Sequence, residues 1–147
     1  MKPVKTLLTS LAASAALIAT AGVAGPATGG AKFTTVLTGA AEVPGPGDPD
    51  GRGEAKITVN PGKSQICWEI NVRNIDTATA AHIHSAPAGV AGPVVVALSA
   101  PVTNNNSTGC ETVDRSLADA IRKAPQGYYV NVHNAAYPAG AVRGQLG

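Results

Sequence analysis

The chain predicts an all-β fold: an antiparallel, immunoglobulin-like β-sandwich carrying one short helix. Three observations lead there. Seventeen glycines and eleven prolines break the 147 residues at short intervals, and aromatics make up only 3%. That composition suits many short strands joined by tight turns and does not suit a helical bundle. The unbroken segments alternate apolar and polar residues with a period of two, as in Ala55, Ile57 and Val59 against Lys56 and Thr58. A single segment, Ser116 to Ala124, has helical spacing instead.

Met1 to Lys5 is a short basic start, and Leu7 to Ala24 is uncharged. Residues 1–24 therefore read as a secretory signal peptide cleaved after Ala21 or Ala24. Gly25-Pro26 and Gly29-Gly30 break any helix there, so no stable membrane insertion is expected after cleavage. Residues 25–31 are a linker, and residues 32–147 have the length of one domain. Lys32 to Leu37 is the first strand. Ala40 to Gly53 is a loop, with Asp48-Pro49-Asp50-Gly51 as a turn signal. Ala55 to Val59 and Gln65 to Val72 form a hairpin about Pro61-Gly62-Lys63. The segment from Asp76 leads into Ala80-Ala81-His82-Ile83-His84, a strand. Pro87 to Pro93 turns the chain into Val94 to Leu98, which is apolar on both faces. Pro101 to Gly109 reads as an exposed loop and Glu111 to Val113 as a short strand. The helix has Ser116 as its cap and Leu117, Ala120, Ile121 and Ala124 as its apolar side, with Arg122 and Lys123 at its C-terminus and Pro125 as its stop. Two turns cannot stand alone, so it packs on the sheet. Tyr128 to Asn134 and Ala139 to Leu146 complete the domain.

Without Lys2 and Lys5, nine basic residues balance nine acidic ones. No basic stripe or aromatic stacking platform is present, which argues against nucleic acid as a partner. Two cysteines, Cys67 and Cys110, suggest one disulfide in an oxidising compartment. Such a loop contributes roughly 4 kcal/mol on the chain-entropy account. Trp68, in phase with Ile66 and Ile70, belongs to the core.

All three histidines fall on two strand segments. On a strand, residues i and i+2 face the same way, about 6.5 Å apart. His82 and His84 therefore share a face, and His133 shares one with Asn131. With Ile83, Val130 and Val132 turned inward, all three imidazoles face out of the core. Three imidazoles on one side of a sheet suit a transition metal, copper ahead of zinc because copper binds such donors harder. Whether they meet depends on which strands are neighbours.

Four motifs occur in order: Leu37-Thr38-Gly39-Ala40-Ala41-Glu42-Val43-Pro44; Ala81-His82-Ile83-His84 with Gly92-Pro93-Val94-Val95; Tyr129-Val130-Asn131-Val132-His133; and Gly140-Ala141-Val142-Arg143-Gly144-Gln145-Leu146. Together they resemble the CHRD domain, named for its occurrence in the secreted animal protein chordin and found also in stand-alone exported bacterial proteins. The resemblance runs from about Lys32 to Leu146 and implies an extracellular or periplasmic β-sandwich. A weaker likeness is to copper-zinc superoxide dismutase. It implies a superoxide-dismutase-like sandwich with His82, His84 and His133 as copper ligands and Arg143 as an anion-steering charge. No further histidine is present to bridge copper to zinc, so a two-metal site is excluded.

The leading expectation is thus an exported CHRD binding module, secreted or held in the periplasm or cell envelope, with a metal on His82, His84 and His133. One alternative is a copper-dependent superoxide dismutase-like enzyme. The other is a metal-free structural or adhesive envelope protein. The residues suggest no organic cofactor and identify no protein partner. Glu42 and Asp76 read as turn and loop acids.

Overall fold

The computed structural model describes residues 30–147; the expected leader and most of the linker lie outside them. Among the described residues, eight strands and one α-helix follow in order: β1 (Ala31–Thr38), β2 (Arg52–Asn60), β3 (Gln65–Arg73), β4 (Ala78–Ser85), β5 (Val94–Leu98), β6 (Asn106–Thr112), α1 (Arg115–Lys123), β7 (Tyr128–Asn134) and β8 (Val142–Gln145). All strand pairings are antiparallel, in the spatial order β5-β4-β7-β8-β1-β2-β3-β6. The all-β expectation with one short helix holds. Instead of two separate sheets there is one, continuous through a single registered pair, Thr38 with Arg143. The two four-stranded halves fold over a shared core, and the edge strands β5 and β6 touch, so the sheet nearly closes.

The β2–β3 hairpin shows how the period-two pattern sets register. Ile57 lies opposite Trp68, Val59 opposite Ile66 and Ala55 opposite Ile70, and all of these are buried. A one-residue slip would move the whole set to the wet face. In the turn, the Asn60 side chain accepts from the Lys63 backbone N–H at 3.1 Å, and Ser64 takes the left-handed conformation at φ 50°. The other half supplies Ile83, Val130, Val132 and Val142, all fully buried. Burying one such side chain stabilises by about 1.5–3 kcal/mol.

Two expectations need correction. The second half of the expected Pro101–Gly109 loop belongs to β6, which pairs with β3 from Asn71–Asn106 to Gln65–Thr112. Its Asn and Gly residues disfavour strands, and only its two threonines have a strand preference of their own. The open edge of β3 recruits them, and three contacts fix the register. Cys67 and Cys110 lie directly opposite and form the expected disulfide. The Trp68 indole N–H donates to Ser107 Oγ at 3.0 Å. Gly109 lies against the same indole, where a Cβ would come within 2.5 Å of the ring.

The helix begins earlier than expected, with Asp114 and not Ser116 at the cap position. Its buried residues are Ala118 and Ile121, with Leu117 partly covered, whereas Ala120 and Ala124 are exposed. The Asp119 carboxylate, paired with Arg122 and Lys123 on the open side, fixes which face stays wet. The helix packs on the β2–β3 end of the molecule. No helix among the described residues is long and apolar enough to cross a membrane.

Candidate metal centre

Both histidine segments belong to the same half of the sheet, and β4 and β7 are hydrogen-bonded neighbours. Their register places His82 opposite Asn131, His84 opposite Tyr129 and Ala80 opposite His133. With Ile83, Val130 and Val132 in the core, the three imidazoles share the outer face, as the alternation requires. One nitrogen from each lies within 4.8 Å of the others. His82 Nδ1 and His133 Nε2 are 3.0 Å apart.

This outer face is not open. Two segments fold over it, the Pro87–Pro93 turn and the stretch from Gly39 to Asp48. They leave His84 only 8% exposed, with His82 and His133 half-buried. Tyr129, between His84 and β8, stacks on the His84 ring at 4.7 Å, and its hydroxyl accepts from the Gly92 N–H at 3.2 Å. The Arg143 guanidinium lies 3.4 Å from the centre of the Tyr129 ring. It donates to the carbonyls of Val90 at 2.9 Å and Pro87 at 3.0 Å. Gln145 donates to the Ala86 carbonyl at 2.8 Å. The turn is thus pinned to the sheet by side chains from β7 and β8.

Arg143 is 1% exposed. An anion-steering charge, or a solvated strand-end charge, has to face water. This guanidinium instead holds a loop down and stacks on an aromatic ring, a geometry that suits arginine over lysine.

Glu42 also lies inside, 4% exposed, and its Oε1 has no hydrogen-bond partner among the described residues. Loss of hydration pushes its carboxyl up to about 7, against the pull of Arg143 and of hydrogen bonds from Asn131 and the Val43 backbone. Gly140, at φ +147°, makes room for it, because a Cβ there would overlap the Glu42 carboxyl. Burial, reinforced by the neighbouring imidazoles, lowers the pKa of His82. Burial also lowers that of His133, opposed by its bond to Pro138 and helped by His84. Both rings therefore keep free lone pairs to lower pH than an exposed histidine.

The hydrogen bonds fix which nitrogens are free. His133 Nδ1 lies 3.0 Å from the Pro138 carbonyl and His84 Nδ1 lies 2.8 Å from the Gly92 carbonyl. A carbonyl only accepts, so each Nδ1 donates, and each Nε2 is the nitrogen turned into the cluster. Histidine ligands of metals are commonly oriented by such a backbone partner. Metal–imidazole bonds of about 2.0–2.1 Å put two donors at most about 4.2 Å apart. The donors lie within 4.8 Å of one another, so one ion would draw the widest pair together by about 0.6 Å or more.

A scan of protein families matches residues 33–146 to the CHRD domain. The chain belongs to the CHRD domain family. No curated protein and no solved structure matches it. In this CHRD domain the four sequence motifs converge on one place. Glu42 comes from the first, His82, His84 and Gly92 from the second, Tyr129, Asn131 and His133 from the third, and Gly140, Arg143 and Gln145 from the fourth. Sequence reading alone misses Glu42 as part of the site. Its signal is membership of a motif, since neither alternation nor composition marks a residue for burial beneath a loop.

Proposed function

We propose that this CHRD domain is an exported binding module that holds one transition-metal ion on His82 Nδ1, His84 Nε2 and His133 Nε2, with copper preferred over zinc. The observation that carries the reading is the convergence of the three donor nitrogens within 4.8 Å, with two of the rings oriented by backbone carbonyls. Copper ranks ahead of zinc on general affinity for imidazole donors. Export rests on the leader pattern and on the Cys67–Cys110 disulfide, which suits an oxidising compartment. A binding module is favoured over a superoxide-handling enzyme because the arginine expected to steer the anion is enclosed. Metal-free adhesion leaves the convergence of the histidines without a purpose.

Calorimetry with Cu²⁺ and Zn²⁺ tests the reading. One ion per chain is expected to bind the native protein, and both His82→Ala and His133→Ala should abolish tight binding. Binding that survives either substitution would rule out a shared site.

A further inference from the structure

We infer that Asn131 Oδ1 is the fourth donor of the metal site, and that the site therefore selects a divalent ion, Zn²⁺ or Cu²⁺, over Cu⁺. The assignment rests on the three-histidine reading and extends it. Position is the first argument. Asn131 lies directly opposite His82, two residues before His133 on the same face of β7, and diagonally from His84. It is the residue that all three histidines surround, and it is 2% exposed.

The second argument is distance. Asn131 Oδ1 lies 3.0 Å from His84 Nε2, and His84 Nδ1 is taken by the Gly92 carbonyl. Nε2 and the amide oxygen are thus the two atoms that face each other inside the cluster, and both can offer a lone pair to a metal ion. The separation suits this: two donors each about 2.1 Å from one ion and at right angles to each other are about 3.0 Å apart.

The third argument concerns which ion. Three imidazole nitrogens and one amide oxygen form a neutral donor set of borderline to hard character. Cu⁺ prefers sulfur ligands, and Ca²⁺ and Mg²⁺ prefer oxygen throughout. Zn²⁺ and Cu²⁺ fit the mixed set.

The test is calorimetric titration of the native protein, Asn131→Ala and Asn131→Asp with Zn²⁺ and Cu²⁺, together with the ¹³Cγ resonance of Asn131 in the native protein during Zn²⁺ addition. Asn131→Ala should weaken binding about 10- to 100-fold. Asn131→Asp, by putting a charged oxygen in the same place, should tighten it about tenfold or more. The ¹³Cγ resonance should move in step with one equivalent of Zn²⁺, and this readout holds even if a variant fails to fold. Unchanged affinity in both variants with a static ¹³Cγ would overturn the assignment, leaving the three-histidine site intact. A native protein that binds no metal would sink the histidine site and Asn131 with it.

Discussion

Glu42 shows how a loop residue comes to resemble a core residue with a charge problem. Its carboxyl is held near 7 by loss of hydration, so above that pH the fold carries a poorly solvated anion. The unfolded chain releases this proton near 4.5, and the folded chain only near 7. Across that window the folded state binds more protons, so stability from this group is fully present below 4.5 and lost as pH rises through 7. Glu42→Gln keeps the shape and removes the charge. It should raise unfolding free energy by about 1–3 kcal/mol at pH 8, after allowing for partial screening, and change it little at pH 4.5. His82 and His133 act in the opposite sense. Their folded values lie below 6.5, so in the metal-free protein acidification through that value protonates the unfolded chain first and lowers stability. That contribution is common to both proteins and cancels in the comparison. Urea unfolding at the two pH values decides it; equal differences at both would show that burial does not raise the Glu42 carboxyl above its unfolded value.

Among the elements, β6 separates what local sequence encodes from what tertiary pairing imposes. The β2–β3 hairpin was legible because Ile57, Val59, Ile66 and Ile70 repeat with the period of a strand and Pro61-Gly62 marks the turn. The histidine strands were legible for the same reason, down to the face each imidazole takes. Most of β6 was not, since Asn106-Ser107-Thr108-Gly109 has the composition of a loop and becomes a strand only against the edge of β3. Nor could sequence reveal that β4 and β7 are neighbours, because 42 residues of intervening chain separate Ser85 from Tyr128 by way of two other strands and a helix. The helix is legible in the sequence but its wet face is not, since alanine fits either side. Gly109 tests the account of β6. Gly109→Ala must displace the Trp68 ring, which is held by Ser107, and overpacking of this kind costs about 1–3 kcal/mol. The expected result is a melting temperature lower by several degrees and altered Trp68 fluorescence. An unchanged spectrum and melting point would mean that β6 is not packed on the indole.

At the scale of the whole molecule, the two halves of the sheet have different tasks. The half made of β1, β2, β3 and β6 contains the hairpin core, the helix contact and the disulfide, and none of the histidines. The half made of β5, β4, β7 and β8 contains the histidine cluster and the Pro87–Pro93 turn that covers it, while the second cover, Gly39 to Asp48, reaches across from the β1–β2 connection. A single registered pair, Thr38 with Arg143, joins them, with the common core between. Energetic coupling between distant sites that share no partners is small, typically within about 0.5 kcal/mol. The disulfide and the metal should therefore stabilise the protein independently. Cys67→Ala/Cys110→Ala should lower stability by about 2–4 kcal/mol and leave Zn²⁺ affinity within about threefold of native. Free Zn²⁺ at a hundred times its dissociation constant should raise the stability of both proteins by the same amount, about 2.7 kcal/mol. Chemical denaturation of the two proteins with and without Zn²⁺ closes the cycle. A Zn²⁺ increment that shrinks when the disulfide is removed would mean that the geometry of the histidine cluster depends on the far edge of the sheet, and that the two halves act as one unit.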